Sequence, residues 1–275
     1  MRQDGQIDLH MHSNYSDGVH APAALVEMAR EKGLVAIALA DHDSLGGFEE
    51  LAAAAASAGV EVLSAVELSC EHMERDLHVL GYGVDPDDAG LQGMLRKFRE
   101  TRERRGVQIV EKLSRLGVRL DVEKVLSRSG KRALGRPHIA EALVEGGHVK
   151  DFREAFARYL GEDAPAYVPK YKMSPAHAVA HIHGARGLAF VAHPGYYLEN
   201  IDDFHALLGQ GFDGIEVLHP HHGESAVERL RGIAGERGLL VSGGSDFHGF
   251  AGRNNMGEPP VPYELLARIK EQLGR

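Results

Sequence analysis

Residues 7–18 read "IDLHMHSNYSDG". In the first half, Ile7, Leu9 and Met11 alternate with Asp8, His10 and His12. That period of two is a β-strand with both imidazoles on one face. A carboxylate, Asp17, follows five residues after His12. Two converging imidazoles beside an acid suit a cation, although 17 histidines in the chain make chance pairings common. The surrounding sequence decides between the two.

Outward from this strand the pattern alternates. "PAALVEMAREKG" (22–33) has proline at a helix start and glycine at its end. "LVAIALADHD" (34–43) is a nearly continuous apolar strand, "GFEELAAAAASAG" (47–59) a helix and "VEVLSAVELS" (60–69) a strand, with "DLHVLGYGV" (76–84) another. The alternation returns from residue 174: helix "SPAHAVAHIHGARG", strand "LAFVAHPG", helix "IDDFHALLGQG" and strand "FDGIEVLHP". It ends with helix "ESAVERLRGIAGERG", strand "LLVSGGSDFHG" and helix "PYELLARIKEQLG". Such βα punctuation predicts a parallel sheet covered by helices. About seven strands favour an α/β barrel over an open doubly wound sheet. Residues 88–162 carry helical periodicity and no convincing strand, which predicts a helical insertion between barrel segments 1–87 and 163–275.

Bulk composition bounds the function. With 275 residues, 43% of them hydrophobic, the chain can bury a substantial core. No apolar run approaches the roughly 20 residues that span a bilayer, and no hydrophobic leader is visible, so a cytoplasmic protein without a membrane partner is expected. One cysteine excludes a disulfide framework and a thiolate-rich zinc site. A net charge of −9 argues against coating duplex DNA. Between Arg96 and Arg136, however, 14 Lys+Arg face 5 Asp+Glu, a basic island able to attract an anion.

The polar residues recur at strand ends: His10 and His12, then Asp41, His42 and Asp43, then Glu67, with His78 in the next strand, His193 later, and Asp246 with His248 last. In α/β barrels those ends converge on one face. Burying so many polar groups without partners would cost about 2–7 kcal/mol each, and divalent cations remove that cost.

Read together, "HMHSNYSDG", "ADHDS", "VELS", "HVLGY", "AHPG" and "GSDFHG" occur in the order of the PHP (polymerase and histidinol phosphatase) family motifs, and the chain resembles that family at both ends. The resemblance implies a distorted (β/α)7 barrel with two or three divalent metals. His10, His12, Glu67 and Asp246 would hold the first, Glu67, His78 and His193 the second, and Asp17, His42 and His248 the third. These nitrogen and oxygen donors suit manganese, with iron and zinc as alternatives. Clustered cations activate water and neutralise phosphoryl oxygens, which is phosphoester hydrolysis chemistry. Asp43 and His219 are the candidate catalytic residues beside the ligands, Asp43 also as a substrate contact, with Asp41 as an orienter.

The insertion bears on substrate. "LQGMLRKFRETRERRGVQIVEKLSRLG" (91–117) has an apolar stripe at Leu91, Leu95, Phe98, Ile109, Leu113 and Leu116. Arg102 and Arg105 fill the gap in that stripe where apolar residues belong, and planar guanidiniums grip phosphate bidentately. In "KRALGRPHIAEAL" (131–143), Arg136 and His138 flank a helix start at Pro137, which also suits an anion. Two anionic groups are then expected in one ligand. The barrel with an "LGRPHIA" insert resembles the nucleoside bisphosphate phosphatases of the family. This implies removal of the 3′-phosphate from nucleoside 3′,5′-bisphosphates. Trimming of short RNA from its 5′ end is the alternative, with histidinol-phosphate hydrolysis and a metal- or nucleotide-binding regulatory protein behind it. After "EVLHPHHG" (216–223), His221 and His222 read as lid or surface residues; the oligomeric state is left open.

Overall fold

The computed structural model describes residues 5–121, 123–125, 135–252 and 254–274. Residues 131–134 of the "KRALGRPHIAEAL" stretch therefore lie outside the described residues. The chain divides into two compact units, Met1–Met94 with Lys172–Arg275, and Leu95–Tyr171.

In the first unit, β1 (Gln6–Met11), β2 (Ala36–Leu39), β3 (Glu61–His72), β4 (Arg75–Tyr82), β5 (Leu188–Val191), β6 (Gly214–Leu218), β7 (Leu240–Gly243) and β8 (Val261–Pro262) form one sheet in the order 7-6-5-4-3-2-1-8. The end of β1 meets the segment beyond β7: Met11 bridges Phe247, and the His12 N–H donates to the Phe247 carbonyl at 2.9 Å. The sheet therefore curls into a nearly closed α/β barrel. Between its strands lie α1 (Pro22–Glu31), α2 (Phe48–Ala58), α6 (Pro175–Gly184), α7 (Ile201–Leu208), α8 (Glu224–Arg237) and, at the end of the unit, α9 (Tyr263–Gln272).

Successive residues of β2 show how the apolar pattern builds the layers. Ala36, Ala38 and Ala40 join one core cluster with Phe190, Tyr82 and the Leu266 and Ile269 side chains of α9. Ile37 and Leu39 join the other, beneath Leu25 and Val26 of α1 and Leu51 of α2. Both faces are buried, which is why the strand reads as continuously apolar.

The barrel departs from all-parallel pairing at two strands. β4 runs antiparallel to both β3 and β5, and β8 runs antiparallel to β1. β3 reaches β4 through a two-residue hairpin in which Met73 and Glu74 have φ of 49° and 61°. Positive φ at both central residues is the hairpin geometry whose twist matches the strands. The usual Asn-Gly signature is absent there, so the hairpin was not legible as a turn. β8 is two residues long and includes a proline, which gives it no periodicity to read.

Gly244, in the segment after β7, is required by close approach. A Cβ there would lie 2.3 Å from the Cβ and 2.4 Å from the backbone nitrogen of His10.

The second unit holds most of α3 (Ala89–Arg115), followed by α4 (Arg136–Glu145), the short α5 (Phe152–Ala155) and a π-helical turn at Phe156–Leu160. Its core joins Ile109, Val110 and Leu113 of α3 to Ile139 and Leu143 of α4 and to Leu160. Of the apolar stripe read along α3, Leu91 to Leu113 is buried, but Leu116 lies past the helix end and is 46% exposed. Among the described residues no helix is long and apolar enough to cross a membrane.

Candidate metal centre

At one end of the barrel the polar residues read at strand ends meet around Glu67. Glu67 lies midway along β3 and not at its end, because β3 runs on to His72 as one arm of the hairpin with β4. Its Oε2 lies 3.3 Å from the Nε2 atoms of His10 and His12 and 3.1 Å from His42 Nδ1. Its Oε1 lies 2.9 Å from His78 Nδ1 and 3.1 Å from His193 Nε2. Asp246 Oδ1 stands 3.1 Å from His12 Nε2 and 3.6 Å from His10 Nε2. Asp17 faces His248 at 3.3 Å, His12 at 3.6 Å and His42 at 3.8 Å. All nine residues named from the strand ends and from the loop after β1 thus come together in one place.

The donors fall into three overlapping groups with ligand atoms within 4.8 Å of one another: His12, Asp17, His42 and His248; His10, His12 and Glu67; and His42, Glu67 and His78. The fit to cations can be judged from the polar atoms. Glu67 Oε2, His12 Nδ1 and His42 Nδ1 are buried and make no hydrogen bond among the described residues. Buried polar atoms are rarely left in that state, and these point into a cluster of ligand-type groups. The residues fit a divalent metal.

Charge balance in the bare chain tells the same story. Burial works against the proton on His10, but Glu216 and then Glu67 outweigh it and hold the imidazole well above its ordinary range. His12, equally buried, is raised to about 10 by Asp246 and Glu67. His42 yields to burial and falls to about 3. Burial also opposes charge on Glu67, yet His42, His78 and His10 keep its carboxyl well below the usual range. Protons here do the neutralising that a cation would do.

Backbone strain collects at the same place. Asp43, His193 and Asp246 have φ of 52°, 29° and 51°. Such conformations cost non-glycine residues about 1–3 kcal/mol each and persist where surrounding bonds over-determine them.

Buried acids supply those bonds. Asp8 accepts from the Ser245 N–H at 2.9 Å, Ser245 Oγ at 2.5 Å and the Gly257 N–H at 2.8 Å, which anchors the turn bearing Asp246. Asp41 accepts from the Ser13 N–H at 2.8 Å, Ser13 Oγ at 2.6 Å and Ser16 Oγ at 2.5 Å, and so orders the loop that carries Asp17. Glu216 accepts from His10 Nδ1 at 2.8 Å and from the His193 N–H at 2.7 Å. Asp8 and Glu216 were missed in the sequence. The available signal was an acid inside an otherwise apolar strand, as in "QIDLHM" and "GIEVL".

Several residues take tasks other than those first read for them. Asp43 is buried, and its two oxygens accept from the Ser69 N–H at 2.8 Å and Ser69 Oγ at 2.9 Å. That ties the loop after β2 to β3. His222, expected in a lid or on the surface, is buried: Nε2 accepts from the Gly195 N–H at 3.0 Å, so Nδ1 donates to the Val217 carbonyl at 2.8 Å. His219 does stand at the cluster, with Nε2 3.7 Å from Asp246 Oδ2. A cavity of about 450 Å³ opens over Glu67, His78, His193, His219, Asp246 and His248.

In the second unit, Arg105 Nε donates to the Val168 carbonyl at 2.7 Å and Arg136 to the Leu160 carbonyl at 3.1 Å. Both guanidiniums lie over the Tyr167 ring, at 6.0 and 5.6 Å. Burial, then the charges of Arg136 and Arg102, lower Arg105 to about 10. Neither Arg105 nor Arg136 meets a carboxylate among the described residues, so this group of like charges suits an anion. His138 is turned to its own helix start, where Nδ1 accepts from the Gly135 N–H at 3.1 Å.

The profile of the PHP domain matches residues 8–221, spanning β1 to the end of β6 and the insertion. The chain belongs to the PHP domain family. Among relatives of this PHP protein, a 3′,5′-nucleoside bisphosphate phosphatase of Chromobacterium violaceum is 37% identical over 96% of this chain and 97% of its own length. A 5′-3′ exoribonuclease of Haemophilus influenzae is 34% identical over 88% of this chain and 90% of its own. The solved structure of a Bifidobacterium adolescentis protein, inferred to be a metal-dependent phosphoesterase, superposes with a TM-score of 0.84 at 32% identity, covering 98% of both chains.

Proposed function

We propose that this PHP protein is a metal-dependent phosphoric monoester hydrolase that removes the 3′-phosphate from nucleoside 3′,5′-bisphosphates. The observation that carries the reading is the convergence of five imidazoles on the single buried carboxylate of Glu67. The choice of substrate is supported by the mutual approach of Arg105 and Arg136 and by likeness to the bisphosphate phosphatase over nearly the whole chain.

His10, His12, Glu67 and Asp246 would hold one ion, Glu67, His78 and His193 a second, and Asp17, His42 and His248 a third, with manganese favoured and iron or zinc compatible. Bound there, the ions supply an activated water and neutralise the phosphoryl oxygens. In the hydrolysis the water oxygen joins phosphorus, the P–O3′ bond breaks and the ribose 3′ oxygen takes a proton. His219 is placed for that last transfer. Its Nδ1 accepts from the His221 N–H at 3.2 Å, so the proton sits on Nε2, which is buried and makes no hydrogen bond among the described residues. Arg102, Arg105 and Arg136 are the residues we assign to phosphate recognition in the second unit.

Incubated with manganese, the protein should release inorganic phosphate from adenosine 3′,5′-bisphosphate. No release by protein of verified metal content refutes the reading. The exoribonuclease relative keeps a second reading open. An end-labelled short RNA separates the two, because the phosphatase leaves the ladder intact.

A further inference from the structure

Glu216 is fully buried in β6, and its two oxygens serve different strands. Oε1 accepts from His10 Nδ1 at 2.8 Å. With its Nδ1–H committed there, His10 has only Nε2 to offer an ion, on the side where Glu67 lies 3.3 Å away. Oε2 accepts from the backbone N–H of His193 at 2.7 Å, at a residue whose φ of 29° and ψ of 55° need an outside hold. His193 Nε2 in turn stands 3.1 Å from the other oxygen of Glu67. One carboxylate thus holds an imidazole on each side of the central ligand.

We propose that Glu216 is the positioning residue of the metal centre, setting the tautomer of His10 and the backbone of His193 together, and through them the spacing of two neighbouring ion sites. This rests on the metal-binding reading of the cluster. A glutamine at this position has the same shape but a single acceptor oxygen. Its amide would face either His10 Nδ1–H or the His193 N–H, donor against donor. Partners of this kind behind metal-ligating histidines alter metal affinity about 10–100-fold when replaced.

The experiment compares wild type, Glu216→Gln, Glu216→Asp and Asp213→Asn as full-length, metal-stripped chains. Asp213 is the control for a lost carboxylate away from the cluster: it holds the Ala189 N–H at 2.7 Å and His183. Manganese titration by calorimetry should show affinity about 10–100-fold weaker in Glu216→Gln, a smaller loss in Glu216→Asp, and no change beyond twofold in Asp213→Asn. Imidazole ¹⁵N spectra of the metal-free protein should show a hydrogen-bonded Nδ1–H on His10 in wild type and the loss of that bond in Glu216→Gln. Wild-type affinity and a wild-type Nδ1–H bond in a folded Glu216→Gln would overturn the inference; if that variant does not fold, the same two results in Glu216→Asp do so. A wild type that takes up no manganese overturns the metal reading instead, while the metal-free spectra still judge Glu216.

Discussion

Replacing Arg105 tests whether the second unit reads a phosphate. The Arg105 guanidinium has five N–H donors and spends Nε on the Val168 carbonyl, leaving its terminal nitrogens for a ligand. A charge-assisted hydrogen bond contributes about 1.5–3 kcal/mol. At 1.4 kcal/mol per tenfold, losing one such bond lowers kcat/KM for a nucleoside 3′,5′-bisphosphate about 10–100-fold in Arg105→Ala. A substrate with only the scissile phosphate should change less than about threefold. Arg105→Lys keeps a charge but not the planar fork, so it should recover only part of the loss. The truncation also leaves the Val168 carbonyl without its donor, an expected cost of about 1–3 kcal/mol in stability. Thermal melts must therefore show both variants folded at the assay temperature. Phosphate release is measured on both substrates side by side. Equal losses on the two, or an unchanged bisphosphate rate in a folded variant, would refute the assignment.

Two further outcomes are expected. Gly244→Ala places a methyl against the backbone of His10, so it should lower stability by about 1–3 kcal/mol and weaken manganese uptake; an unchanged Tm and unchanged uptake would show that β1 has room to move. Metal uptake should release protons and strengthen as pH rises. His12 carries a pKa raised to about 10, so it is protonated at pH 7 and must lose that proton to become a ligand. Calorimetry in two buffers of different ionisation heat reads that release, and a null proton count at pH 7 contradicts the charge balance described.

The ligand set was legible because it obeys two short rules. Residues two apart on a strand share a face, as His10 and His12 do, and parallel strands bring their carboxyl ends together, as with His12, His42 and His193 after β1, β2 and β5. The supporting acids escaped notice because Asp8 and Glu216 sit within apolar strands, and a single acid there says nothing about which distant donor it meets. The partner of Asp43 was hidden for the same reason: its position beside His42 is visible in the chain, whereas Ser69, which donates to both its oxygens, is not.

Local sequence determined the strand and helix alternation, the interruption between the two barrel segments and the residue types able to hold metal, since each depends on spacing along the chain. Tertiary structure alone decided that β4 runs against its neighbours, that Gly244 must pass against His10, and that one carboxylate in β6 serves β1 and the turn after β5 at once. Those facts depend on which surfaces meet when the sheet curls, and close packing across the barrel, not periodicity, selects them.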